Sequence, residues 1–517
     1  MMKATSIRDM HRRIMDYSKL QNGSDIRGTA IKIDGGKGKE VNLTRESVRR
    51  IGAAFAEWLY LRIGTCGPIR VSIGRDPRLS GEDIAGWLTE GLCAMNVSVT
   101  DFGLASTPAM FMSTITPGYM FDGAVMVTAS HLPYERNGLK FFTRGGGLEK
   151  SDIASILDTA QNADFIFDNV KIISERVDFL SVYAESTANM IRRGVNAEDY
   201  MHPLKGLKTI VDAGNGAGGF FVEKVLKPLG ADTEGSIFLE PDGLFPNHAP
   251  NPEDARAMAA ISDAVVKSGA DFGIIFDTDV DRAAAVTSDG REINRNRLIA
   301  LMSAILLRGH EGSAIVTDSI TSTGLTEFIR SHGGVHRRFK RGYRNVINEA
   351  VRLNNEGVEC LMAIETSGHC ALKENYFLDD GAYLIAKLLI ELATAKREGR
   401  RLEELTAGLC EPLEAREFRI PISRTDYAEY GASVLKALDA YCGEHDGFSK
   451  EPENFEGVRV NVPRFEGWFL LRMSLHDPLM PLNIESDVPR GVEGIAGELL
   501  PFLMRFDGLD ISGMTCS

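Results

Sequence analysis

Val127-Thr-Ala-Ser-His-Leu-Pro-Tyr-Glu-Arg-Asn-Gly-Leu-Lys-Phe-Phe142 is the stretch whose reading decides the rest of the chain. The apolar run from Ala124 to Val127 reads as a buried strand, and it breaks off at Thr128-Ala129-Ser130-His131. Pro133, Asn137 and Gly138 then force a loop. Ser130 is therefore offered at a strand's end, with His131 beside it and Lys140 ten residues on. A serine so placed can act as a nucleophile or carry a phosphoryl group, provided something compensates the charge. In isolation the same residues also fit an ordinary turn serine with a polar neighbour.

Working outward, Arg70-Val-Ser-Ile-Gly74 reads as a strand and Arg75-Asp-Pro-Arg-Leu-Ser80 as a polar turn into a helix. Ile84, Trp87, Leu88, Gly91, Leu92 and Met95 form an apolar helical stripe that belongs in a core. Val97 to Thr100 is the next strand, and strand–helix–strand alternation indicates a parallel α/β sheet. Such sheets bind ligands at the carboxyl ends of their strands, where Ser130 falls. Upstream, Gly23-Ser-Asp-Ile-Arg-Gly28 is a glycine-bounded turn enclosing Arg27. Downstream, Ser151 to Gln161 and Val177 to Arg193 read as helices. The strand Thr209 to Asp212 then runs into Ala213-Gly-Asn-Gly-Ala-Gly-Gly219. Its glycines miss the G-x-G-x-x-G register, so close helix–strand packing is expected there and not a dinucleotide phosphate.

A second strand, Phe272 to Phe276, delivers Asp277-Thr-Asp-Val-Asp-Arg282. Three carboxylates at alternate positions can curl round one hard cation, and an oxygen-only ligand set favours Mg²⁺ over zinc. So many like charges rarely gather without a cation or positive partners. The EF-hand reading fails: with Asp277 as position 1, position 6 is Arg282 instead of Gly, and position 12 is Ser288 instead of Glu. Near Leu298 a third α/β unit begins, with Ala314 to Asp318 as its first strand. Arg337-Arg-Phe-Lys-Arg-Gly-Tyr-Arg344 precedes a helix over Asn345 to Leu353. A basic run is usually a solvated face, and opening a helix it can instead supply positive charge to a phosphate. Leu361 to Ile364 is another strand, ending in Glu365-Thr-Ser-Gly-His369. A carboxylate and a hydroxyl two residues apart can hold two vicinal sugar hydroxyls; a structural turn would look the same.

From about Pro412 the pattern changes to a helix, Ala428 to Tyr441, then strands over Gly457 to Val462, Trp468 to Met473 and Asn483 to Ser486, and a last helix, Val492 to Phe502. Between two of these strands, Leu471-Arg-Met-Ser-Leu-His-Asp-Pro478 offers Arg472 and Ser474 as a phosphate clamp.

The bulk numbers agree with an ordinary soluble multidomain protein. The length of 517 residues exceeds one core and suggests about three to five domains of ~100–200 residues. A net charge of −14 argues against nucleic acid as a main partner, because that binding rests on surplus Lys and Arg. The seven cysteines form no CxxC pair, which indicates free thiols in a reducing compartment. No stretch approaches 18 apolar residues, so no membrane partner is expected, and Met1 to Leu20 lacks a secretory core. The expected location is the cytoplasm, or a plastid or other organelle if a transit peptide has been trimmed.

Taken in order, these loops resemble those of the α-D-phosphohexomutases. Thr128-Ala-Ser-His-x-Pro133 followed by Asn137-Gly-x-Lys140 resembles their phosphoserine loop. The segment around Arg27 is similar to one whose Arg points at the reacting phosphate. Asp277 to Arg282 resembles Asp-Gly-Asp-Gly-Asp-Arg, with Thr278 and Val280 in place of the glycines. Gly342 matches a sugar-selecting loop, with Tyr343 and Arg344 differing from several members. Glu365 to His369, with Asp379-Asp-Gly381 downstream, resembles the sugar-binding loop. Arg472, Ser474 and Pro478 match a phosphate loop that reads Arg-x-Ser-Gly-Thr-Glu-Pro, but Leu475, His476 and Asp477 do not; His476 can stand in for a hydroxyl donor.

The resemblance implies three related mixed-sheet α/β domains and a smaller α+β C-terminal domain, heart-shaped around a central cleft, over 1–200, 201–297, 298–411 and 412–517. It implies interconversion of hexose 1-phosphate and hexose 6-phosphate through a phosphoserine and a hexose 1,6-bisphosphate. The substrate would be a phosphomannose, phosphoglucose or phosphoglucosamine. Catalysis would fall to Ser130, His131, Lys140, Arg27 and Arg282. One Mg²⁺ would sit on Ser130, Asp277, Asp279 and Asp281. Glu365, Ser367, His369, Gly342, Tyr343, Arg472 and Ser474 would hold the phosphosugar. A monomer or homodimer is expected. The rival readings are a metal-dependent sugar-phosphate phosphatase and a non-catalytic phosphosugar-binding homologue.

Overall fold

Short buried strands alternating with amphipathic helices build layered sheets along most of this chain. The computed structural model describes residues 15–33, 40–65, 67–172, 174–474 and 477–514. His476 therefore lies outside the described residues, as do Cys66 and Cys516. The chain divides into two compact units, Met1–Asn294 with Ser367–Leu402, and Arg295–Thr366 with Glu403–Ser517.

The first unit holds an eight-stranded mixed sheet and a four-stranded one. In the larger sheet Arg70–Arg75 runs parallel to both Ser98–Leu104 and Gly123–Val127. Gly123–Val127 pairs antiparallel with Arg136–Thr143, which in turn pairs antiparallel with Asp25–Thr29. Helices Arg45–Ile63 and Gly81–Ala94 share its apolar core. Ile84, Leu88 and Leu92 of the expected stripe are buried in that core, with Trp87 and Met95 at its margin. The two helices touch through Gly91, where a Cβ would lie 2.1 Å from the Arg49 carbonyl oxygen.

Two expectations need correction here. Asn137 and Gly138 are not part of a loop; they lie inside the strand Arg136–Thr143, with Gly138 opposite Arg27. Glycine is needed for close approach, since a Cβ would meet the Ile26 carbonyl oxygen at 2.4 Å. Between the helices Lys150–Asn162 and Phe179–Val195, the strand Ser174–Arg176 joins the sheet edge. All three of its residues are exposed, so it leaves no hydrophobic period in the sequence.

In the four-stranded sheet Thr209–Asp212 runs parallel to Phe272–Phe276, followed by the antiparallel Ala283–Thr287 and Glu292–Ile293. The glycine-rich turn serves packing, as its register suggested. A Cβ on Gly216 would lie 2.7 Å from the Thr278 carbonyl oxygen, and one on Gly218 3.0 Å from the Phe276 ring. A π-helical turn, Val222–Leu226, follows it. The later helix Gly381–Arg397 returns to this unit, and Ile390 presses on Gly194 at the end of Phe179–Val195.

The second unit contains the parallel strands Val335–Arg338, Ala314–Thr317 and Cys360–Ile364, in that spatial order, with helices Thr323–Ser331 and Tyr343–Asn355. Its other sheet has five antiparallel strands, in the order Glu414–Pro421, Leu479–Ser486, Gly467–Leu471, Val458–Val462 and Ser449–Lys450. Helices Tyr427–Glu444 and Gly491–Leu503 complete the core of that terminal α+β domain. Its first strand went unread because only Phe418 and Ile420 of its eight residues are buried. The described cysteines 93, 360, 370, 410 and 442 are free thiols. Among the described residues no helix is long and apolar enough to cross a membrane.

Candidate active site

Ser130 sits three residues beyond the buried strand Gly123–Val127, at φ +52°, a left-handed conformation that non-glycine residues seldom adopt. Several bonds hold it there. Its N–H donates to Thr128 Oγ1 at 2.9 Å, and Thr128 Oγ1 donates to Asp76 Oδ2 at 2.7 Å. The buried Arg78 guanidinium donates to the carbonyls of Ser130, Leu132 (2.7 Å), Pro133 (2.8 Å) and Arg136 (3.0 Å). Asp76 balances that charge at 3.1 Å, and its carboxyl is pushed up by burial against the pull of Arg78. Asp76 and Arg78 are the residues the sequence reading missed. They lie in Arg75–Ser80, which looked like a polar turn, and only an Asp-x-Arg spacing beside a strand end could have flagged them.

Asp277, Asp279 and Asp281 follow the strand Phe272–Phe276 and are buried, and one carboxylate oxygen from each lies within 4.8 Å of the other two. Val280 between them takes φ +65°, the conformation a glycine would accept freely. Ser130 Oγ donates to Asp277 Oδ2 at 3.0 Å. Lys140 Nζ, on the strand Arg136–Thr143, donates to Asp279 Oδ2 at 2.8 Å and Asp281 Oδ2 at 2.5 Å. Thr107 Oγ1 also donates to Asp279 Oδ2. Burial and the Asp281 charge hold the Asp277 carboxyl well above the usual range. Burial penalises Asp281 as well, but Lys140, His369 and Arg282 outweigh it and hold that carboxyl low. Asp279 Oδ1 and Asp281 Oδ1 are buried and accept no hydrogen bond. Two orphaned hard oxygens amid three carboxylates suit a hard divalent cation.

Arg282 ends this loop and is itself buried. Nε donates to Asp277 Oδ2 at 3.1 Å, and Nη2 to Ser130 Oγ at 3.1 Å and His131 Nδ1 at 2.7 Å. Its Nη1 donates to Asn251 Oδ1 at 3.1 Å, with Glu253 at 3.6 Å. His131 Nδ1 lies 3.5 Å from Ser130 Oγ, and burial with the Arg282 charge holds that imidazole down at about 2. Arg27 donates to the Ala129 carbonyl at 3.4 Å and pairs with Asp25 at 3.0 Å. The fold thus gathers Ser130, His131, Lys140, Arg27, Arg282 and the three aspartates in one place.

Ser367 and His369 join the same unit in a manner the sequence did not suggest. His369 Nε2 lies 3.9 Å from Asp281 Oδ2, and its Nδ1 shares a 2.8 Å hydrogen bond with Ser367 Oγ. His369 pairs with Arg282 as a β-bridge, and Gly381 N–H donates to the Val280 carbonyl at 3.1 Å. The 367–381 loop therefore lies along the carboxylate loop.

Gly342, Tyr343, Glu365, Arg472 and Ser474 belong to the second unit. Gly342, at φ +111°, donates its N–H to Glu365 Oε1 at 2.6 Å, so the turn at Gly342 and the Glu365 carboxylate meet. Tyr343 is the first residue of its helix, which starts two residues earlier than expected. Arg472 is 4% exposed; it donates to the Met473 carbonyl at 3.4 Å, while its Nε has no partner. Ser474 N–H donates to the Leu479 carbonyl at 3.0 Å, and Ser474 Oγ accepts from Asp477 N–H at 3.2 Å. The first two cations of the basic run are engaged within this unit. Arg337 pairs with Glu349 at 3.0 Å and Glu453 at 2.7 Å, and Arg338 donates to the Ser322 carbonyl at 2.9 Å.

Three family models match the chain in succession: Phosphoglucomutase/phosphomannomutase, alpha/beta/alpha domain I over residues 19–167, domain II over 183–290 and domain III over 294–413. A "Phosphomannomutase/phosphoglucomutase" of Pseudomonas putida is 30% identical over 467 residues, covering 89% of this chain and 93% of that protein. The crystal structure of a phosphoglucomutase/phosphomannomutase family protein from Burkholderia thailandensis superposes with a TM-score of 0.78 at 27% identity, covering 96% of this chain and 99% of that one. At the level of the fold alone, the Aspergillus fumigatus N-acetylphosphoglucosamine mutase, solved with GlcNAc-6P and magnesium, superposes with a TM-score of 0.55 at 13% identity, covering 95% and 97%. The chain therefore belongs to the phosphoglucomutase/phosphomannomutase family, the α-D-phosphohexomutases, and is an isomerase of phosphosugars.

Proposed function

We propose that this mutase works through Ser130 as its phosphoryl carrier, with a hexose 1,6-bisphosphate as the intermediate. The observation that carries the reading is the position of Ser130 Oγ, 3.0 Å from an Asp277 oxygen and 3.1 Å from Arg282 Nη2. A hydroxyl held between a carboxylate loop and a guanidinium suits phosphoryl transfer, where positioning and charge stabilisation do most of the catalysis. Asp277, Asp279 and Asp281 would hold one Mg²⁺, together with an oxygen on Ser130. When bound, that ion neutralises charge on the transferring group. The orphaned oxygens of Asp279 and Asp281 support this ligand set, and a protein of the same fold, from Aspergillus fumigatus, was solved with magnesium.

In the forward half-reaction the substrate's free hydroxyl oxygen bonds to phosphorus as the bond from phosphorus to Ser130 Oγ breaks. The product is a bisphosphate and a free serine. In the second half-reaction Ser130 Oγ takes the other phosphoryl group and leaves the isomeric monophosphate. Arg282 and Arg27 stabilise the moving charge. The proton lost by the sugar hydroxyl ends on Ser130 Oγ as its bond to phosphorus breaks; His131 Nδ1 already accepts from Arg282 Nη2, and the Lys140 ammonium is committed to Asp279 and Asp281. Glu365 binds sugar hydroxyls. Arg472, buried yet with an unpartnered Nε, binds the phosphate that does not react.

The test is a phosphorus NMR time course with Mg²⁺, a trace of the matching bisphosphate, and glucose 1-phosphate, mannose 1-phosphate or glucosamine 6-phosphate. Exchange between the 1- and 6-phosphates is expected with at least one sugar and should vanish in Ser130→Ala. Release of inorganic phosphate alone would establish a phosphatase instead. Exchange that survives Ser130→Ala would remove the serine from the mechanism.

A further inference from the structure

In the second unit the segment 453–457, just before the strand Val458–Val462 of the terminal sheet, lies across the turn that follows Val335–Arg338. Glu453 pairs with Arg337 at 2.7 Å. The Phe455 ring packs against Phe339, tilted by 41° with centroids 5.2 Å apart, and its centroid lies 4.1 Å from the Arg337 guanidinium. Glu456 reaches furthest in: its Oε2 accepts from Ser319 Oγ and from the backbone N–H of Arg341 at 3.1 Å.

These contacts close a ring. Arg341 precedes Gly342, whose N–H donates to Glu365 Oε1 at 2.6 Å. Glu365 precedes Thr366, whose Oγ1 donates to Asp318 Oδ2 at 2.7 Å. Asp318 precedes Ser319, which returns to Glu456. The segment ends at Gly457, φ +59°, where a Cβ would lie 2.8 Å from Arg472 Cβ and 2.1 Å from the Leu471 carbonyl oxygen. One short strap thus touches both the turn that holds Glu365 and the strand end that carries Arg472.

We infer that Glu456 is a positioning residue for sugar recognition: by fixing the Arg341 backbone, it sets the Gly342 N–H that aims Glu365, in register with Arg472. The inference rests on the role given to Glu365 under the proposed function. A carboxylate oxygen accepting two hydrogen bonds, one from a buried hydroxyl, fixes backbone far better than packing alone. Glu456 touches no substrate in this account; its effect passes through Glu365.

The experiment is a double-mutant cycle of Glu456→Ala and Glu365→Ala in the full chain, read as KM and kcat for glucose 1-phosphate and mannose 1-phosphate, with Glu456→Gln alongside. Glu456→Ala should raise KM by on the order of tenfold, or about 1.4 kcal/mol, with a smaller change in kcat. Glu456→Gln keeps an acceptor oxygen and should recover most of that loss. The double variant should be no worse than Glu365→Ala alone, which is the signature of two residues acting through one contact. Effects that add, an unchanged KM in Glu456→Ala, or a glutamine variant as impaired as alanine would each overturn the inference. If the wild type shows no exchange, the proposed function fails by itself. The cycle is then read as calorimetric binding of glucose 6-phosphate, with the same expectation of non-additivity and the same refutation.

Discussion

Arg282 carries more of the site than any other single side chain. Its guanidinium donates at once to Asp277, Ser130, His131 and Asn251, and a planar fork with fixed donor directions is what makes that division feasible. Lysine would keep the charge and lose the geometry. Arg282→Lys should therefore lower kcat by about 10²-fold, the scale of losing one preorganised donor to developing charge, in steady-state exchange assays with KM little changed. A loss confined to KM would assign Arg282 to ground-state binding. Val280 illustrates what a single residue's sequence can and cannot announce. Its departure from the family's glycine was visible, whereas its φ of +65° was not, because left-handed backbone in a β-branched residue is imposed by surroundings and not by local preference.

At the scale of elements, the strand-then-break pattern was the legible part. Gly123–Val127, Phe272–Phe276 and Cys360–Ile364 each end in a polar loop where the apolar run breaks off in the sequence. What could not be read was support that comes from far along the chain. Arg78 caps carbonyls more than fifty residues away, and Asn137-Gly138 carries turn chemistry yet lies in a strand, because tertiary packing there demands a residue without a Cβ. His369 likewise reads as part of a sugar loop but lies beside Asp281. The loop around His248 allows a test at this scale. Its Nε2 meets Asp212 Oδ2 and its Nδ1 meets the Ala249 carbonyl, each at 2.9 Å, an arrangement only a doubly protonated ring satisfies. Burial opposes that charge, but the Asp212 partner prevails and the imidazole is raised above its ordinary value. A group raised on folding stabilises fully below its unfolded value, near 6.5, and the contribution fades as pH climbs through the raised folded value. The melting temperature of the wild type should thus fall more steeply than that of His248→Gln between neutral and mildly alkaline pH. Parallel profiles would show that the pair does not titrate in this window.

For the molecule as a whole, the partition into two units has a thermodynamic counterpart. Asp277, Asp279 and Asp281 all belong to the first unit, so a ligand they bind stabilises that unit by mass action. Scanning calorimetry should resolve more than one transition, and saturating Mg²⁺ should raise the one that reports the first unit. At a hundredfold excess over Kd the gain is about 2.7 kcal/mol, and EDTA should reverse it. A metal-independent melt would contradict the proposed ligand set. Within an acidic total of −14, the buried Lys140 and Arg282 and the half-buried Arg27 are each paired with aspartates near Ser130.

Asn137 and Gly138 deserve to be seen as chemistry in waiting. An asparagine followed by glycine is the dipeptide most prone to cyclise to a succinimide and lose ammonia, because nothing shields the glycine nitrogen from attacking the side-chain amide. Here Asn137 is wholly buried, its Nδ2 donates to Ser80 Oγ at 2.9 Å, and its backbone is extended within a strand. The Gly138 N–H donates to Asn137 Oδ1 at 2.8 Å, so the pair is already in contact, and protection rests on burial, the Ser80 bond and the fixed strand backbone, none of which the unfolded chain keeps. Excursions of this strand out of its sheet free the pair to react, so the deamidated fraction at Asn137, followed by peptide mass spectrometry during storage, should report the cumulative time that the bed beneath Ser130 spends open. Deamidation at Asn137 as fast as in a matching free peptide would mean that the strand gives it no protection.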